Sequence, residues 1–594
     1  MKRTETVFAP ARRIDFGEAL LPPEGYSLEA ALGTTFSMDF LTALTVPVSL
    51  ALRNGVQREE LLTTPLAALA AMRRLQDRLA IYVESGNIHA PKNRPTALVS
   101  LLENVVKEVT PPKGASFHPK LWLLRFAPEN GGAMRQRLII MSRNLTRDRA
   151  WDVALRLEGE EQTAIQNRNA PLVELLEFLE RSSGKMNTRL RGLREGLGYV
   201  RWDRVPGFSQ PSFHAHHPAS KRPPWRPDEG RLAVVSPFCD DPGLEALGVD
   251  RIDAIVACDD WLAALTKTSV RSFTLAEHAL PEPDPETAAT AEDRAGLHAK
   301  LYIVESGDDT AITIGSGNAT GAGLGAKGGR NIEVFATLRG KSAEIGAIGL
   351  GGEGFLGTGG IGPLLKDWRP RDLREDEVAG QCFDDAVREA RRSICAAKPL
   401  LTFSPDGERL NVKLSVELPA LPKIAVVEAC LVTQRDSISL SDAGPWDLGS
   451  VRFADATTFI RFDLHAERDD TASFVTQAKA NGLPDADMRL RALLSDMVKT
   501  PEQFFAFVTA MLEKRPDISG MMRATVTRGT GTGTRVAMPV LESLLTTYLS
   551  DDGPSRLNDL DRVVSLMERD LARDKMQEFL QLWAEFKKAI GKRK

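Results

Sequence analysis

The sequence predicts an α/β protein with two pseudo-symmetric α/β/α lobes, followed by a β-rich domain and a C-terminal helical domain. Three observations lead to this prediction: a short motif that occurs twice, strands that are apolar on both faces, and a change of pattern near residue 372. Strands that are apolar on both faces are typical of a sheet covered by helices. The chain of 594 residues is long enough for about four domains of ordinary size.

The composition excludes several classes of protein. Hydrophobic residues make up 42% and charged residues 26% of the chain, which is ordinary for a globular protein. The formal net charge of -4 excludes a wholly basic nucleic-acid binder but leaves room for a local basic groove. The five cysteines form no CxxC pair, so we expect no zinc ribbon and a reducing cytoplasm. The N-terminus lacks the apolar core of a signal peptide, and we expect no membrane contact.

The first lobe is predicted over residues 1–204. The run 79–88 has the composition of a strand that ends in a polar turn. Two further strands, 120–126 and 137–144, are joined by a loop that contains glycine, and residues 171–197 are predicted to be helical. This half therefore alternates strands with helices.

A linker is predicted over residues 205–229, which are rich in Pro, Ser and His and lack an apolar period. Three histidines in this segment, His214, His216 and His217, are candidate metal ligands. No cysteine or carboxylate cluster lies near them in the sequence, so a flexible loop is the favoured interpretation.

The second lobe is predicted over residues 230–371. The runs 231–238 and 253–258 are apolar on both faces, as expected inside a covered sheet. The runs 297–305 and 311–318 then repeat the strand–loop–strand pattern of the first lobe.

The last third of the chain carries no catalytic motif. Alternating apolar and polar residues predict a β-rich domain over 372–480, and a helical domain is predicted over 481–594. The sequence TPEQ at 500–503 is a capping box with proline at the first helical position, which predicts a helix to Leu512. We expect this third to position the substrate or to bind a partner.

One internal duplication carries the candidate chemistry. Its two copies are, in order, His118-Pro119-Lys120 with Ser142-Arg143-Asn144, and His298-Ala299-Lys300 with Ser316-Gly317-Asn318. Residues i and i+2 of a strand share a face, so the histidine and lysine of each copy point the same way, as do the serine and asparagine. If the lobes pack about a pseudo-two-fold axis, these eight side chains converge on one pocket.

This set of groups suits a phosphodiester, because ammonium groups neutralise phosphoryl oxygens and amides orient them. One imidazole can attack phosphorus, while the other protonates the leaving alkoxide and then deprotonates water. No metal or cofactor is needed, since lysine and protonated histidine supply positive charge. A carboxylate is expected on the second nitrogen of each histidine. Glu333 is the candidate after the second copy, and Asp152 is the candidate after the first.

These residues resemble the phospholipase D superfamily, whose signature is HxK, a spacer and GSxN, either twice in one chain or once in a dimerising chain. The resemblance covers about residues 30–370 and implies two phospholipase D-like lobes and a phosphohistidine mechanism. It implies that His118 is the nucleophile and His298 the acid and base. It also implies that phosphate is bound by Lys120, Lys300, Asn144 and Asn318. Further substrate contacts are expected from Ser142, Ser316, Arg143 and Asp152.

The sequence departs from the superfamily pattern at two places. The acidic residue expected five positions after the lysine is Arg125 in the first copy and Glu305 in the second, and Met141 replaces the glycine of GSxN. With these changes the motifs look more like nucleases and tyrosyl-DNA phosphodiesterases than lipid-cleaving members. Residues 20–40 and 544–566 are also similar to bacterial phospholipase D-like proteins found in phage-defence settings.

The sequence therefore predicts a metal-independent phosphodiesterase, a nuclease that cleaves DNA in preference to RNA, in bacterial antiviral defence. Two alternatives stay open: a catalytically silent nucleic-acid-binding scaffold with a partner ATPase or helicase, and a phospholipase. Several arginines near the first motif form either a groove for a polyanion or a solvated face; they are Arg125, Arg135, Arg137, Arg143, Arg147 and Arg149. Strandedness of the substrate and oligomeric state are left open.

Overall fold

The first lobe is built on a sheet whose strands run both parallel and antiparallel. A computed structural model describes residues 14–51, 65–89, 96–147, 150–266, 270–280, 296–326, 330–345, 354–357, 360–441, 444–466, 470–513, 540–550, 553–567 and 574–591. The strands of the first part of the chain are β1 (Tyr26–Thr35), β2 (Met38–Asp39), β3 (Leu79–Glu84), β4 (Ile88–His89), β5 (Val106–Val109), β6 (Leu121–Pro128), β7 (Arg135–Met141), β8 (Ala154–Glu161) and β9 (Val200–Trp202). Its helices are α1 (Phe16–Leu20), α2 (Phe40–Ala51), α3 (Pro65–Leu75), α4 (Ala170–Ser183) and α5 (Thr188–Leu197).

The second lobe follows the same plan with fewer helices among its described residues. Its strands are β10 (Ser212–His216), β11 (Arg231–Val235), β12 (Ile252–Val256), β13 (Ser272–Leu275), β14 (Leu301–Ser306), β15 (Asp309–Gly315), β16 (Glu333–Lys341) and β17 (Leu365–Asp367). Its helices are α6 (Asp241–Leu247), α7 (Asp259–Ala263) and α8 (Ser342–Ile345).

The two sheets share the order of six consecutive strands, from β5 to β8 in the first and from β13 to β16 in the second. The first sheet runs β5-β3-β1-β6-β7-β8-β9, and the second runs β17-β13-β12-β11-β14-β15-β16-β10. β1 pairs in parallel with β3 and antiparallel with β6, and β11 likewise pairs in parallel with β12 and antiparallel with β14; β6 and β14 are the strands that follow the HxK motifs. The duplication seen in the motifs is therefore also present in the topology.

The alternation of side chains along β6 divides the first sheet between two cores. Leu121 and Leu123 point into a core that the first sheet shares with α4, α5 and the second sheet. Trp122 and Leu124 point into the opposite core, with α2 and α3. Trp122 is thus a core residue, and helices cover both faces of the sheet.

The prediction of a flexible loop at His214, His216 and His217 is wrong for the first two. They belong to β10, which pairs with β16 at the edge of the second sheet. The segment alternates buried Phe213 and Ala215 with the histidines, but prolines on both sides hide this short period in the sequence. The predicted linker therefore contributes a strand to the second lobe.

The β-rich domain begins with a long helix and joins its sheet to the first lobe. Its elements are α9 (Glu375–Ala396), β18 (Leu400–Asp406), β19 (Arg409–Ser415), β20 (Ile424–Leu431), β21 (Ile438–Ser439), β22 (Trp446–Arg452), β23 (Phe459–Ala466), β24 (Thr471–Gln477) and β25 (Lys479–Asn481). One sheet has the order β22-β19-β18-β25, and the other has the order β2-β4-β24-β23-β20-β21. Since β2 and β4 belong to the first lobe, backbone hydrogen bonds run between the two parts.

The C-terminal helices complete a core of the first lobe. They are α10 (Ala486–Met497), α11 (Pro501–Leu512), α12 (Val540–Tyr548), α13 (Gly553–Met567) and α14 (Asp574–Gly591). The capping box predicted for α11 is present, with Thr500 accepting from the backbone of Gln503. Phe504, Phe507 and Trp583 pack into the core that contains Trp122. In the parts of the chain that the structure describes, no helix has both the length and the apolarity needed to cross a bilayer.

Candidate active site

Each HxK motif lies immediately before a strand, and each SxN motif immediately after the next strand. His118 and Lys120 precede β6, and Ser142 and Asn144 follow β7. The second copy has the same arrangement around β14 and β15. Because the two strands of each pair are antiparallel, the start of one and the end of the next lie at the same edge of the sheet.

The eight side chains of the duplicated motif are all buried, and the most exposed of them is Asn318 at 8%. A hydrophobic core rarely contains two lysines and two histidines together, because charged groups lose their hydration when they are buried. The set is therefore a polar centre enclosed by the fold.

The two lobes meet at this centre by exchanging backbone contacts. The His118 amide donates to the carbonyl of Ile332 at 3.0 Å, so the first motif is held by the second lobe. In the reciprocal contact, the His298 amide donates to the carbonyl of Trp151 at 2.7 Å. Both histidines therefore lie at the junction of the lobes. Trp151 is fixed in turn by its indole N–H, which donates to the carbonyl of Ala279 at 2.6 Å.

The partners of the His118 ring assign its tautomer. His118 Nδ1 lies 3.0 Å from Glu333 Oε2, and His118 Nε2 lies 2.7 Å from Lys120 Nζ. An ammonium group can only donate, so Nε2 accepts and the ring proton is on Nδ1, facing the carboxylate. The Nε2 lone pair is the nucleophilic electron pair of the ring.

Glu333 is itself held on both carboxylate oxygens. Oε2 also accepts a hydrogen bond from the Ser316 hydroxyl, and Oε1 accepts from Asn331 Nδ2 at 3.2 Å. The same Ser316 hydroxyl accepts from the Val334 amide at 3.0 Å. The carboxylate proposed from the sequence as the partner of a histidine therefore has a fixed orientation toward His118.

The residue of the first lobe that corresponds to Glu333 has a different environment. The Ser142 hydroxyl accepts from the Val153 amide at 3.0 Å, which places Asp152 where the second lobe has Glu333. The side chain of Asp152 is exposed, whereas Glu333 is fully buried. In the second motif Lys300 Nζ donates to the backbone carbonyl of His298 at 3.1 Å. The two lobes thus share this backbone arrangement, but of these two carboxylates only Glu333 is buried.

Two hydroxyl groups that sequence reasoning missed anchor the SxN loops. Thr35 Oγ1, at the end of β1, accepts from the Leu145 amide at 3.0 Å. Ser236 Oγ, just after β11, accepts from the Ala319 amide at 2.9 Å and lies 3.4 Å from Asn318 Oδ1. Each anchored amide belongs to the residue after the motif asparagine. The sequence signal for both is a hydroxyl residue at the end of the strands β1 and β11.

Phe36 is an aromatic residue of the site that the sequence analysis also missed. Its ring meets the ring of His118 edge to face at 5.2 Å between centroids, and Lys120 Nζ lies 5.6 Å from its centroid. Phe36 is half-buried. An aromatic face next to the candidate nucleophile can stack on a planar group.

Three of the arginines near the first motif are held by acidic residues. Arg125 binds Glu161 through two nitrogens at 2.7 and 2.8 Å, Arg135 binds Asp203, and Arg137 binds Glu158. Arg137 is buried, and Arg125 and Arg135 are partly buried, so these three arginines form neither a groove for a polyanion nor a solvated face. Arg143, between the motif serine and asparagine, donates to the carbonyl of Thr146 at 3.1 Å and is half-buried. Arg149 lies outside the described residues.

Buried groups around the second motif are kept neutral. Burial, with a smaller contribution from Asp260, raises the pKa of Cys258 to about 12, while Lys300 acts in the opposite direction. Burial also raises the pKa of Tyr302 well above its usual range, and its hydroxyl donates to the carbonyl of Gly317 at 2.9 Å. Tyr302 thus supports the loop between Ser316 and Asn318. Among the described residues there is no group of three metal-ligating side chains.

No protein-family model matches the chain, and no curated protein matches it. Among solved structures it is similar to yeast tyrosyl-DNA phosphodiesterase, with a TM-score of 0.33 and 13% identity over 56% of this chain and 86% of that one. A structure of a mutant of the yeast enzyme gives a TM-score of 0.33 and 11% identity, over 58% of this chain and 90% of that one.

A polyphosphate kinase from Porphyromonas gingivalis is also similar, with a TM-score of 0.28 and 11% identity, over 54% of this chain and 44% of that one. Because these similarities are weak, the function of the chain is inferred from the geometry of its site.

Proposed function

We propose that this chain is a phosphodiesterase of the phospholipase D type that cleaves nucleic acid through a phosphohistidine. The observation that carries the proposal is the orientation of His118, with Glu333 on Nδ1 and Lys120 on Nε2. A histidine with a carboxylate behind one nitrogen and a lone pair on the other is arranged for nucleophilic attack.

In the first step His118 Nε2 attacks phosphorus and forms a P–N bond, and the P–O bond to the leaving group breaks. Before substrate binds, the Lys120 ammonium group donates a hydrogen bond to His118 Nε2. When substrate binds, Lys120 would donate to a phosphoryl oxygen instead. Glu333 stabilises the positive charge that develops on the imidazole during attack. Protonated His298 gives its proton to the departing alkoxide.

In the second step the neutral His298 removes a proton from water, and the resulting hydroxide attacks phosphorus. The P–N bond breaks and His118 returns to its starting form, while His298 is again protonated. Lys300, Asn144 and Asn318 hold the phosphoryl oxygens through both steps. One proton cycles on His298, and no net change of either residue remains.

Nucleic acid is the proposed substrate, and DNA is preferred. The motif changes at Arg125 and Met141 resemble nuclease-type members more than lipid-cleaving ones. Phe36, half-buried beside His118, offers an aromatic face on which a base can stack. Antiviral defence is proposed as the setting because of the similarity of residues 20–40 and 544–566 to phage-defence proteins.

The test incubates the purified protein with labelled DNA, RNA and phospholipid, each with and without EDTA. We expect cleavage of nucleic acid that persists in EDTA and disappears in His118→Ala, together with a covalent adduct on His118. Complete loss of cleavage in EDTA would contradict the proposed mechanism. Cleavage of phospholipid alone would support the lipid alternative, and salt-dependent DNA binding without turnover would support the scaffold.

A further inference from the structure

A buried carboxylate at the end of β3 has no part in the chemistry described above. Glu84 is 1% exposed on its side chain and lies directly behind the segment that carries His118. Its Oε2 accepts a hydrogen bond from the amide of Phe117 at 2.7 Å. Phe117 is the residue immediately before His118, so this contact fixes the backbone from which the candidate nucleophile projects.

The partner of Glu84 comes from the β-rich domain. Arg391, on α9, places Nη2 3.4 Å from Glu84 Oε1, and its side chain is 8% exposed. Burial raises the pKa of Glu84, whereas Arg391, Arg392, the Phe117 amide and His118 act against that rise. A buried ion pair of this kind tolerates the loss of one partner poorly, because the other charge is left without compensation.

The next residue of α9 holds the same segment at a second point. Arg392 Nη2 donates to the carbonyl of Ala115 at 2.6 Å and to Ser116 Oγ at 3.2 Å. The Ser116 amide also donates to Asn331 Oδ1 of the second lobe at 3.0 Å. The segment 115–118 is therefore held between α9 and the second lobe.

The close approach of α9 depends on one glycine. Gly86 has a φ of +75°, and a Cβ placed there would lie 2.6 Å from Arg391 Cγ and 2.8 Å from Cys395 Sγ. A second buried carboxylate, Glu108, accepts from the Gly86 amide at 2.8 Å and from the amide of Gln477 on β24 at 2.9 Å. The absence of a side chain at Gly86 therefore allows α9 of the β-rich domain to pack directly against the turn 85–87.

We infer that Glu84 and Arg391, with Arg392, are positioning residues for His118, and that the β-rich domain is a structural part of the active site. The inference deepens the proposed function and rests on it. Loss of Arg391 should let the Phe117 amide and the His118 ring leave their attack geometry. Misplacement of a nucleophile lowers the rate of the chemical step more than it lowers substrate binding.

The experiment compares Arg391→Gln with a matched control, Arg489→Gln. Arg489 also pairs across the boundary between the first lobe and the C-terminal part, with Nη1 2.7 Å from Glu103 Oε2. The Glu103 carboxylate also accepts from Thr457 and Thr458, which lie outside the segment 115–118. Both variants remove one arginine from an ion pair between the first lobe and the C-terminal part, but only one of these pairs supports His118.

We expect Arg391→Gln to lower kcat about 10- to 100-fold with KM within about two-fold, by analogy with residues that orient a reactive histidine. Arg489→Gln should keep kcat close to that of the wild type, even if both variants melt at a lower temperature. Arg391→Lys, which keeps the charge, should recover part of kcat. Equal kcat in Arg391→Gln and Arg489→Gln, with an active wild type, would overturn the inference and leave the proposed function intact.

A second measurement does not depend on activity. Hydrogen exchange of the peptide that covers residues 112–118 should become faster in Arg391→Gln and stay unchanged in Arg489→Gln, because Arg391 no longer holds Glu84, the acceptor of the Phe117 amide. Unchanged protection in both variants would contradict the inference. An inactive wild type would count against the proposed function, while this exchange measurement would still decide the structural role of Arg391.

Discussion

His118 Nδ1 and Glu333 Oε2 lie 3.0 Å apart although 215 residues separate them in the chain. The first belongs to the motif of one lobe, and the second begins the last long strand of the other. The contact exists because the His118 amide pairs with Ile332, the residue before Glu333. The candidate nucleophile is therefore oriented by the lobe that carries the candidate acid and base, and neither lobe contains a complete site.

Replacement of Glu333 tests this orientation directly. Glu333→Gln keeps the size of the side chain but removes the charge that stabilises the imidazolium formed during attack. We expect kcat to fall about 10- to 100-fold with little change in KM. Single-turnover measurement of adduct formation checks this. Glu305→Gln, a partly exposed carboxylate on β14, is the control and should leave the rate unchanged; a similar loss in both variants would show that the effect is not specific to His118.

Replacement of His298 should separate the two chemical steps. With an activated ester such as a nitrophenyl phosphodiester, the leaving group needs little protonation, so His298→Ala should still form the adduct on His118. Hydrolysis of that adduct needs a base and should be slow. We expect a burst close to one equivalent of nitrophenol per protein, followed by slow turnover. A steady rate without a burst, equal to that of the wild type, would rule out His298 as the base.

The hydroxyl of Ser236 is expected to orient Asn318. In Ser236→Ala the Ala319 amide loses its acceptor, and Asn318 Oδ1 loses a neighbour at 3.4 Å. A buried amide without a partner costs about 1–3 kcal/mol of stability. We expect a lower melting temperature and a KM raised by about tenfold. Ser236→Thr is the control, because the first lobe has a threonine at the matching position, Thr35, and this variant should retain substrate affinity.

Buried histidines make the stability of the protein depend on pH. Burial, followed by smaller effects of His214 and nearby arginines, lowers the pKa of His216 to about 3, and the Nε2 of His216 accepts from the Trp225 amide at 2.7 Å. The unfolded chain binds a proton at this residue near its ordinary pKa of about 6.5, whereas the folded chain does not. The contribution of His216 to the free energy of unfolding is therefore fully present above about pH 6.5, and it is lost as the pH decreases toward 3.

The expected loss is about 1.4 kcal/mol per pH unit for each such histidine. His216→Gln should reduce the free energy of unfolding at pH 7.5 but make its decline between pH 6.5 and 5 shallower. Denaturant unfolding at several pH values measures both quantities. An identical pH dependence in the two proteins would mean that His216 takes up no extra proton on unfolding.

The local pattern of the sequence was sufficient for several parts of this structure. The two strands between the HxK and SxN motifs of each copy contain contiguous apolar runs, and the capping box before α11 is a contact between residues three positions apart, so both are encoded locally. The strand β10 was missed because prolines flank it and only two of its residues, Phe213 and Ala215, show the buried alternation. The ion pairs of Arg125, Arg135 and Arg137 depend on strands and turns far along the chain, and no local spacing indicates them.

The sequence by itself determined the duplicated set of histidine, lysine, serine and asparagine residues, because periodicity and spacing are properties of neighbouring residues. Only the tertiary structure decided which carboxylate faces His118 and that Arg391, 307 residues from Glu84, supports the same segment. Such contacts follow from how the lobes and α9 pack. Their free energy comes from burial and from hydrogen bonds between distant parts of the chain, and these are fixed only when the whole chain has folded.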